Sequence, residues 1–296
     1  MQSIPDSPTI VSSSIAVIGG GNVARCLIGG LVALGTPASL IAVSEPDAAL
    51  RAALARDFGV RAHSNNNEAV SGADLWVLAV KPQVLRAVCE GLSAQLLGRR
   101  PLVVSVAAGI TIAQVERWLA PLQTQSEALS RFANEQLAVI RAMPNTPALL
   151  GASATALCAN PHTTPAQRAQ AQHLFEAVGV ALWIADEALM DTVTATSGSG
   201  PAYVFALVEA MQAAAQVQGL PGDIARVLIA QTILGAGRML IESGENAATL
   251  RQRVTSPGGV TAEALKCFEA GGFHALIAKG IAAATVRGAE LSAQNG

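Results

Sequence analysis

One stretch limits the fold of this chain more than any other. The short apolar run Ser14-Ile15-Ala16-Val17-Ile18 passes straight into Gly19-Gly20-Gly21-Asn22-Val23-Ala24. Apolar residues then recur at Val23, Leu27, Ile28, Leu31 and Leu34, the spacing of one helix face. A strand that becomes a helix through glycines suits a dinucleotide. Gly19 permits the tight turn, Gly21 lets backbone approach a pyrophosphate, and Ala24 lets helix and strand pack closely. The Gly-x-Gly-x-x-Ala string says little alone; the strand before it and the helix after it give it weight.

The pattern repeats. Apolar runs at Leu40–Val43, Val60–Ala62, Leu75–Val80, Leu102–Val106 and Ala138–Ile140 each end in small or polar residues, and helical stretches separate them. Two further short strands are expected at Ala152–Cys158 and Ala181–Ile184, with Thr164-Pro165 starting the helix between them and Gly179 ending it. Uninterrupted apolar strands alternating with helices predict a mainly parallel sheet covered on both faces, with ligands beyond the carboxyl ends of the strands. Ser44-Glu45-Pro46 falls where such folds meet the adenosine ribose. An acid there suits the 2′-hydroxyl of NAD, whereas hydroxyls and a nearby arginine such as Arg51 suit a 2′-phosphate, so both cofactors stay open. Glu45-Pro46 reads equally well as the start of a helix. Lys81 is the one cation among the strand-end clusters, and standing alone it would pass for an exposed lysine before a helix. Residues 121–137 carry no strand signal and read as a surface excursion with no assigned role.

From Glu187 onward the strands stop. Residues 202–218 carry Glu209 as their only charge, and 223–241 are nearly as apolar. Helices apolar almost all round must be buried, either in a compact bundle or against a second subunit. The expected organisation is therefore an α/β Rossmann-type domain over 1–187 followed by an all-α domain over 188–296. Near its end lies Val254-Thr255-Ser256-Pro257-Gly258-Gly259-Val260-Thr261. A side-chain-poor turn at 257–259 and a helical pattern beginning at Thr261 place backbone amides and a helix dipole around one concavity, which favours a small anion.

Composition narrows the function. Charged residues are 14% of the chain, net charge is −2 and aromatics are 3%, which argues against nucleic acid as the main partner. The cysteines lie far apart with no clustered histidines, so neither disulfides nor a metal site is expected. The first fourteen residues hold no lysine or arginine and no apolar core, and prolines break the long uncharged stretches. No signal peptide or membrane span is expected, and the expected location is the cytoplasm.

Assembled, these residues resemble pyrroline-5-carboxylate reductase over nearly the whole chain. The most specific match is Val254 to Leu265, supported by Ile18–Ala24, Ala79–Pro82, Ser105–Gly109, Arg141–Pro147 and Ser197–Tyr203 in the right order. The resemblance implies NADPH, with NADH possible, and the reduction of the cyclic imine 1-pyrroline-5-carboxylate to L-proline. It implies a helical dimerisation and substrate-binding domain, with interlocked homodimers often assembled into homodecamers. Pyrophosphate contacts are implied at Ile18, Gly19, Gly20, Gly21, Asn22 and Val23, and adenosine contacts at Ser44 and Asn66. The nicotinamide half is implied near Ala79, Val80, Lys81 and Pro82 and near Val106, Ala107 and Ala108. Substrate contacts are implied at Glu187, Ser256, Gly259, Val260 and Thr261, with Thr261 the suggested proton donor to nitrogen. Arg253 matches a position that can reach the cofactor. The chain departs from the family's pattern at Glu45, where members often carry a hydroxyl or a base.

Binding the substrate's carboxylate at the 256–261 turn would aim its ring at the nicotinamide. A threonine hydroxyl is a poor acid in isolation, so Thr261 either relays a proton or only hydrogen-bonds. Two rival functions stand beside this one: a Rossmann reductase of a small keto or hydroxy acid, and a non-catalytic dinucleotide sensor. The first needs a lysine or histidine in the helical half, where Lys266, Lys279 and His274 are the only ones.

Overall fold

The computed structural model describes residues 13–120 and 137–294. It divides the chain into two compact units, Met1–Gly198 with Ala284–Gly296, and Ser199–Ala283. The expected division at 187/188 therefore differs from the compact units by about one helical turn, α7 (Met190–Val193), and the π-helical turn Thr194–Gly198, while the end of the last helix rejoins the first unit.

The first unit is built on an eight-stranded sheet of order β3-β2-β1-β4-β5-β6-β7-β8. Its strands are β1 (Ile15–Ile18), β2 (Ile41–Ser44), β3 (Arg61–His63), β4 (Leu75–Leu78), β5 (Leu102–Ser105), β6 (Val139–Met143), β7 (Ser153–Ala159) and β8 (Gly179–Trp183). All neighbours pair in parallel except β6 and β7, so the sheet is mainly parallel with one reversal. The crossovers carry α1 (Asn22–Ala33), α2 (Ala48–Phe58), α3 (Asn66–Val70), α4 (Pro82–Leu92), α5 (Ile112–Leu119) and α6 (Pro165–Glu176).

Alternation along β1 divides the core. Ile15 and Val17 join Leu27, Leu31 and Phe175 on one face, while Ala16 and Ile18 join Trp76, Leu85 and Trp118 on the other. Because successive side chains of a strand point to opposite faces, a strand without polar residues needs cover on both. Each fully buried leucine or isoleucine contributes about 1.5–3 kcal/mol. Thr111 starts α5 and Thr164 starts α6, each with a reciprocal capping box through the glutamine three residues on. Gly179 does not end α6 as expected, since that helix closes at Ala177. It opens β8 at φ +151°, where a Cβ would stand 2.1 Å from the Ser153 carbonyl oxygen. The excursion expected at 121–137 lies, except for Leu137, outside the described residues.

The second unit is helical: α8 (Gly200–Val217), α9 (Gly222–Glu242), α10 (Ala247–Arg253), α11 (Val260–Ala270) and the first part of α12 (Phe273–Gln294). No residue of α8 is buried, and α9 buries only Ala225 and Ile229. Phe205, Leu228, Leu234 and Ile241 are all more than half exposed. Among the described residues α9 is the one helix long and apolar enough to cross a membrane, with mean hydropathy 1.5.

Candidate active site

The carboxyl ends of β1, β2 and β4 open onto a cleft of about 990 Å³, lined by Gly19, Gly20, Gly21, Ser44, Asn66, Ala79, Val80 and Lys81. That volume stands at the upper end for small-molecule sites, roughly 300–1,000 Å³. The glycine turn makes room in two ways. Gly19 sits at φ +100°, and a Cβ there would come 2.7 Å from the Ala79 carbonyl oxygen. Gly21, the residue before α1, has an ordinary φ of −70°, and a Cβ there would meet nothing within 4 Å. The added atom would meet only the open cleft, so the fold itself does not require glycine at this position. No side chain caps α1 and no acid stands in its first turn, so its leading amides are available to an anion. These residues fit a dinucleotide pyrophosphate.

Glu45 is buried, and its carboxylate faces inward. One oxygen accepts the Gly20 amide at 2.8 Å and the other the Asp47 amide at 2.9 Å. Asp47, not Glu45, caps α2. Arg51 donates to the carbonyls of Glu45 at 2.8 Å and Pro46 at 3.1 Å, clamping the turn. The Ser44 hydroxyl meets the Asn66 side-chain oxygen at 2.6 Å. Ser64, Asn65 and Asn67 join them in the lining; of the Asn65-Asn66-Asn67 run the resemblance implies only Asn66, and Glu45 is the lining's one acid. Lys81 is exposed at the start of α4, with Pro82 following as its first residue.

Other expected contacts lie apart from this lining. Ile18 is fully buried, and its carbonyl accepts the Ala79 amide at 2.8 Å. Asn22 and Val23 belong to the first turn of α1. Val106, Ala107 and Ala108 form the loop beyond β5, where Ala107 is buried and Ala108 exposed.

A buried ion cluster reaches the start of α5, the helix that follows this loop. Arg141, at the centre of β6, has a side chain 5% exposed, and its guanidinium reaches Glu187 at 3.3 Å and Asp191 at 3.1 Å. The Glu187 oxygen that faces Arg141 also accepts the Ile112 amide, the first of α5, at 2.8 Å. In the sequence Arg141 opens one of the motifs that carry the resemblance but has no assigned role, and its partners lie 46 and 50 residues away. Burial raises the thiols of Cys158 and Cys26, and it pushes Cys89 up to about 12, with the Glu90 charge adding to it. All four cysteines are free. The described residues contain no cluster of potential metal ligands.

In the second unit the turn at 256–259 is closed by the Gly259 amide donating to the Ser256 carbonyl at 3.0 Å. Gly258 takes φ +68°, and α11 begins at Val260, one residue before the expected Thr261. Gly259 is the residue before the helix, and no side chain caps it. Thr261 therefore does not cap the helix. It stands exposed in the first turn beside the leading amides of Val260 and Thr261. Gly259 has spent its own amide inside the turn, which leaves the donors to the helix. Ser256 is exposed, with its hydroxyl oxygen 2.5 Å from where a Gly259 Cβ would stand. Arg253 forms an ion pair with Glu245 in the same unit.

Residues 187–291 match the family model described as pyrroline-5-carboxylate reductase dimerisation, and residues 14–109 match one described as NADP oxidoreductase coenzyme F420-dependent. The chain is 48% identical to a pyrroline-5-carboxylate reductase of Pseudomonas aeruginosa over 95% of its own length and 98% of that protein's. It is 37% identical to the enzyme of that name from Escherichia coli, over 90% and 94% of the two chains. Among solved structures, a pyrroline-5-carboxylate reductase from Coxiella burnetii superposes with a TM-score of 0.87 at 38% identity, covering 95% of this chain and 98% of that one.

Proposed function

The chain belongs to the pyrroline-5-carboxylate reductase family, and from that premise we propose how its residues divide the reaction among themselves. It is an oxidoreductase that reduces 1-pyrroline-5-carboxylate to L-proline with a nicotinamide cofactor. The observation that carries the assignment of the first unit is the cleft over the glycine turn, with the Cβ position of Gly21 opening into it.

The dinucleotide would be held in that cleft, its pyrophosphate by the leading amides of α1 beyond Gly20, whose own amide is taken by Glu45, and its adenosine end by Ser44 and Asn66. Its nicotinamide end lies toward Ala79–Pro82 and the loop at Val106, Ala107 and Ala108. Bound there, the reduced nicotinamide supplies the hydride that adds to the C=N carbon. NADPH is the proposed cofactor. Supporting it, the Glu45 carboxylate in the lining is engaged by two backbone amides, and the hydroxyls and amides of Ser44, Ser64 and Asn65–Asn67 make up the rest of the ribose end.

The substrate's carboxylate is assigned to the turn from Ser256 to Thr261, where the first amides of α11 supply donors and the helix dipole favours a negative charge. Glu187 is kept as a substrate contact, and Thr261 faces the ring nitrogen, donating or relaying its proton. Orientation accounts for most of the rate gain, because holding two reactants in attack geometry removes the entropy of bringing them together.

We assign 1–187 to the dinucleotide and 188–296 to dimerisation and substrate binding. The exposed apolar sides of α8 and α9 are covered by a second copy of the chain, and the dimers assemble further into a decamer. That cover also accounts for the membrane-like composition of α9. The free cysteines suit a reducing compartment, the cytoplasm.

The test is cofactor oxidation with 1-pyrroline-5-carboxylate and with a panel of keto acids, each run with NADPH and NADH. Turnover of the cyclic imine, faster with NADPH, is expected. Turnover of keto acids alone would point to a different reductase, and tight cofactor binding with no turnover to a sensor.

A further inference from the structure

We propose that Arg141 is a positioning residue for hydride transfer: through Glu187 it fixes the first turn of α5, and with it the loop from Val106 to Thr111. The functional half of this rests on the assignment of that loop to the nicotinamide end.

A guanidinium in the middle of a central strand, 5% exposed, is costly unless it is paired. Arg141 has two acids, one for each terminal nitrogen. Glu187 does more than neutralise it, because the oxygen facing Arg141 also takes the Ile112 amide at 2.8 Å. The capping box of Thr111 and Gln114 satisfies a later amide of α5 and cannot reach that first one. Only the carboxylate from 75 residues away holds it. A charge-assisted bond at a helix start is among the stronger hydrogen bonds in a protein, and here it ties down the loop leading into the helix. At its other end the loop is pinned to the sheet by the Val106 amide on the Leu78 carbonyl at 3.1 Å. Both ends of 106–112 are thus anchored, one by the sheet ladder and one by Glu187.

Lysine cannot replace Arg141, since a single ammonium lacks the planar fork that reaches two acids at once. With Arg141 gone, Glu187 loses the partner that holds its oxygen beneath the Ile112 amide. The loop then moves while the glycine turn after β1 stays in place.

The test is amide hydrogen exchange on Arg141→Lys, without and with NADPH, beside kinetics and cofactor titration. Exchange across 106–112 should speed by about ten-fold or more, while 15–24 keeps wild-type protection. The cofactor's Kd should change by less than about three-fold, with kcat down about ten-fold or more, since small misplacements of reactants are costly. Glu187→Ala should deprotect the same amides, and the double variant should be no worse than Glu187→Ala, because one residue acts through the other. Unchanged exchange at 106–112 overturns the proposal, as does faster exchange there with wild-type kcat. A kcat deficit that disappears on cooling, with protection lost across the whole sheet, overturns it too, leaving Arg141 a purely structural residue. If the wild-type enzyme does not reduce 1-pyrroline-5-carboxylate, the assigned reaction falls and the catalytic half with it, while the exchange data still judge the anchoring.

Discussion

The carboxylate of Glu45 accepts the Gly20 amide N–H at 2.8 Å, joining the end of β2 to the middle of the glycine turn 25 residues earlier. An acid at the end of the second strand of such a fold ordinarily addresses the ribose. Here both its oxygens are used by backbone, the second by Asp47. It shapes the turn on which the pyrophosphate is assigned.

Glu45→Gln should therefore weaken NADPH and NADH in parallel. Glutamine has one acceptor oxygen where glutamate has two, so one of the two amides loses its partner, at about 1–3 kcal/mol if it is the buried Gly20 amide and less if it is that of the exposed Asp47. Thermal unfolding should fall by several degrees, and the ratio of the two Kd values should move by less than about three-fold. A selective gain for NADPH would mean that the carboxylate reads the ribose after all.

Gly21→Val separates fold from ligand. The backbone at Gly21 is in an ordinary region and the Cβ position is open, so the variant should keep its melting temperature. Its side chain fills the space assigned to the pyrophosphate. Calorimetric titration with NADPH should show no binding, and retained affinity in a folded variant would remove the assignment.

Thr261→Ala should lower kcat by about ten-fold or more while changing stability little, because Gly259 and not Thr261 precedes α11. Thr261→Ser keeps the hydroxyl and should stay active. Wild-type kcat in the alanine variant would mean that the proton comes from solvent or arrives with the substrate.

The exposed apolar sides of α8 and α9 predict a homodimer at least. Light scattering should give no monomer at micromolar concentration, and Leu228→Lys, at a position 55% exposed in the single chain, should shift the protein toward monomer or aggregate. A stable wild-type monomer would leave those helices without cover.

Cys89 gives an alkaline signature. Burial raises its thiol from 9.0 to about 12, so the folded state holds the proton more tightly than the unfolded chain does. Its contribution is complete below pH 9 and is lost as pH climbs from there toward 12, by up to 3–4 kcal/mol as an order of magnitude. Denaturation midpoints should fall across that window in the wild type. In Cys89→Ala they should start lower and fall less steeply.

The sequence by itself determined the sheet. Apolar runs of four or five residues such as Leu75–Leu78 and Leu102–Ser105 suit a strand buried on both faces, and the glycine turn marks where the first crossover begins. Those signals are local, a periodicity and a turn chemistry readable within a dozen residues. The reversal at β7 carried no such mark, because an apolar strand looks the same in either direction. Glu45 could address a ribose, start a helix or bind a turn, and only the approach of Gly20 from β1 decided among them. In the sequence Arg141 and Glu187 belong to separate signals, a motif that carries the resemblance and an implied substrate contact, and nothing local pairs them. What joins them is a strand crossover that buries one charge where only a distant carboxylate can meet it, and burial makes that pairing obligatory. Tertiary structure decided the partners of the polar groups, since the cost of an unpaired buried charge is set by what the fold brings beside it.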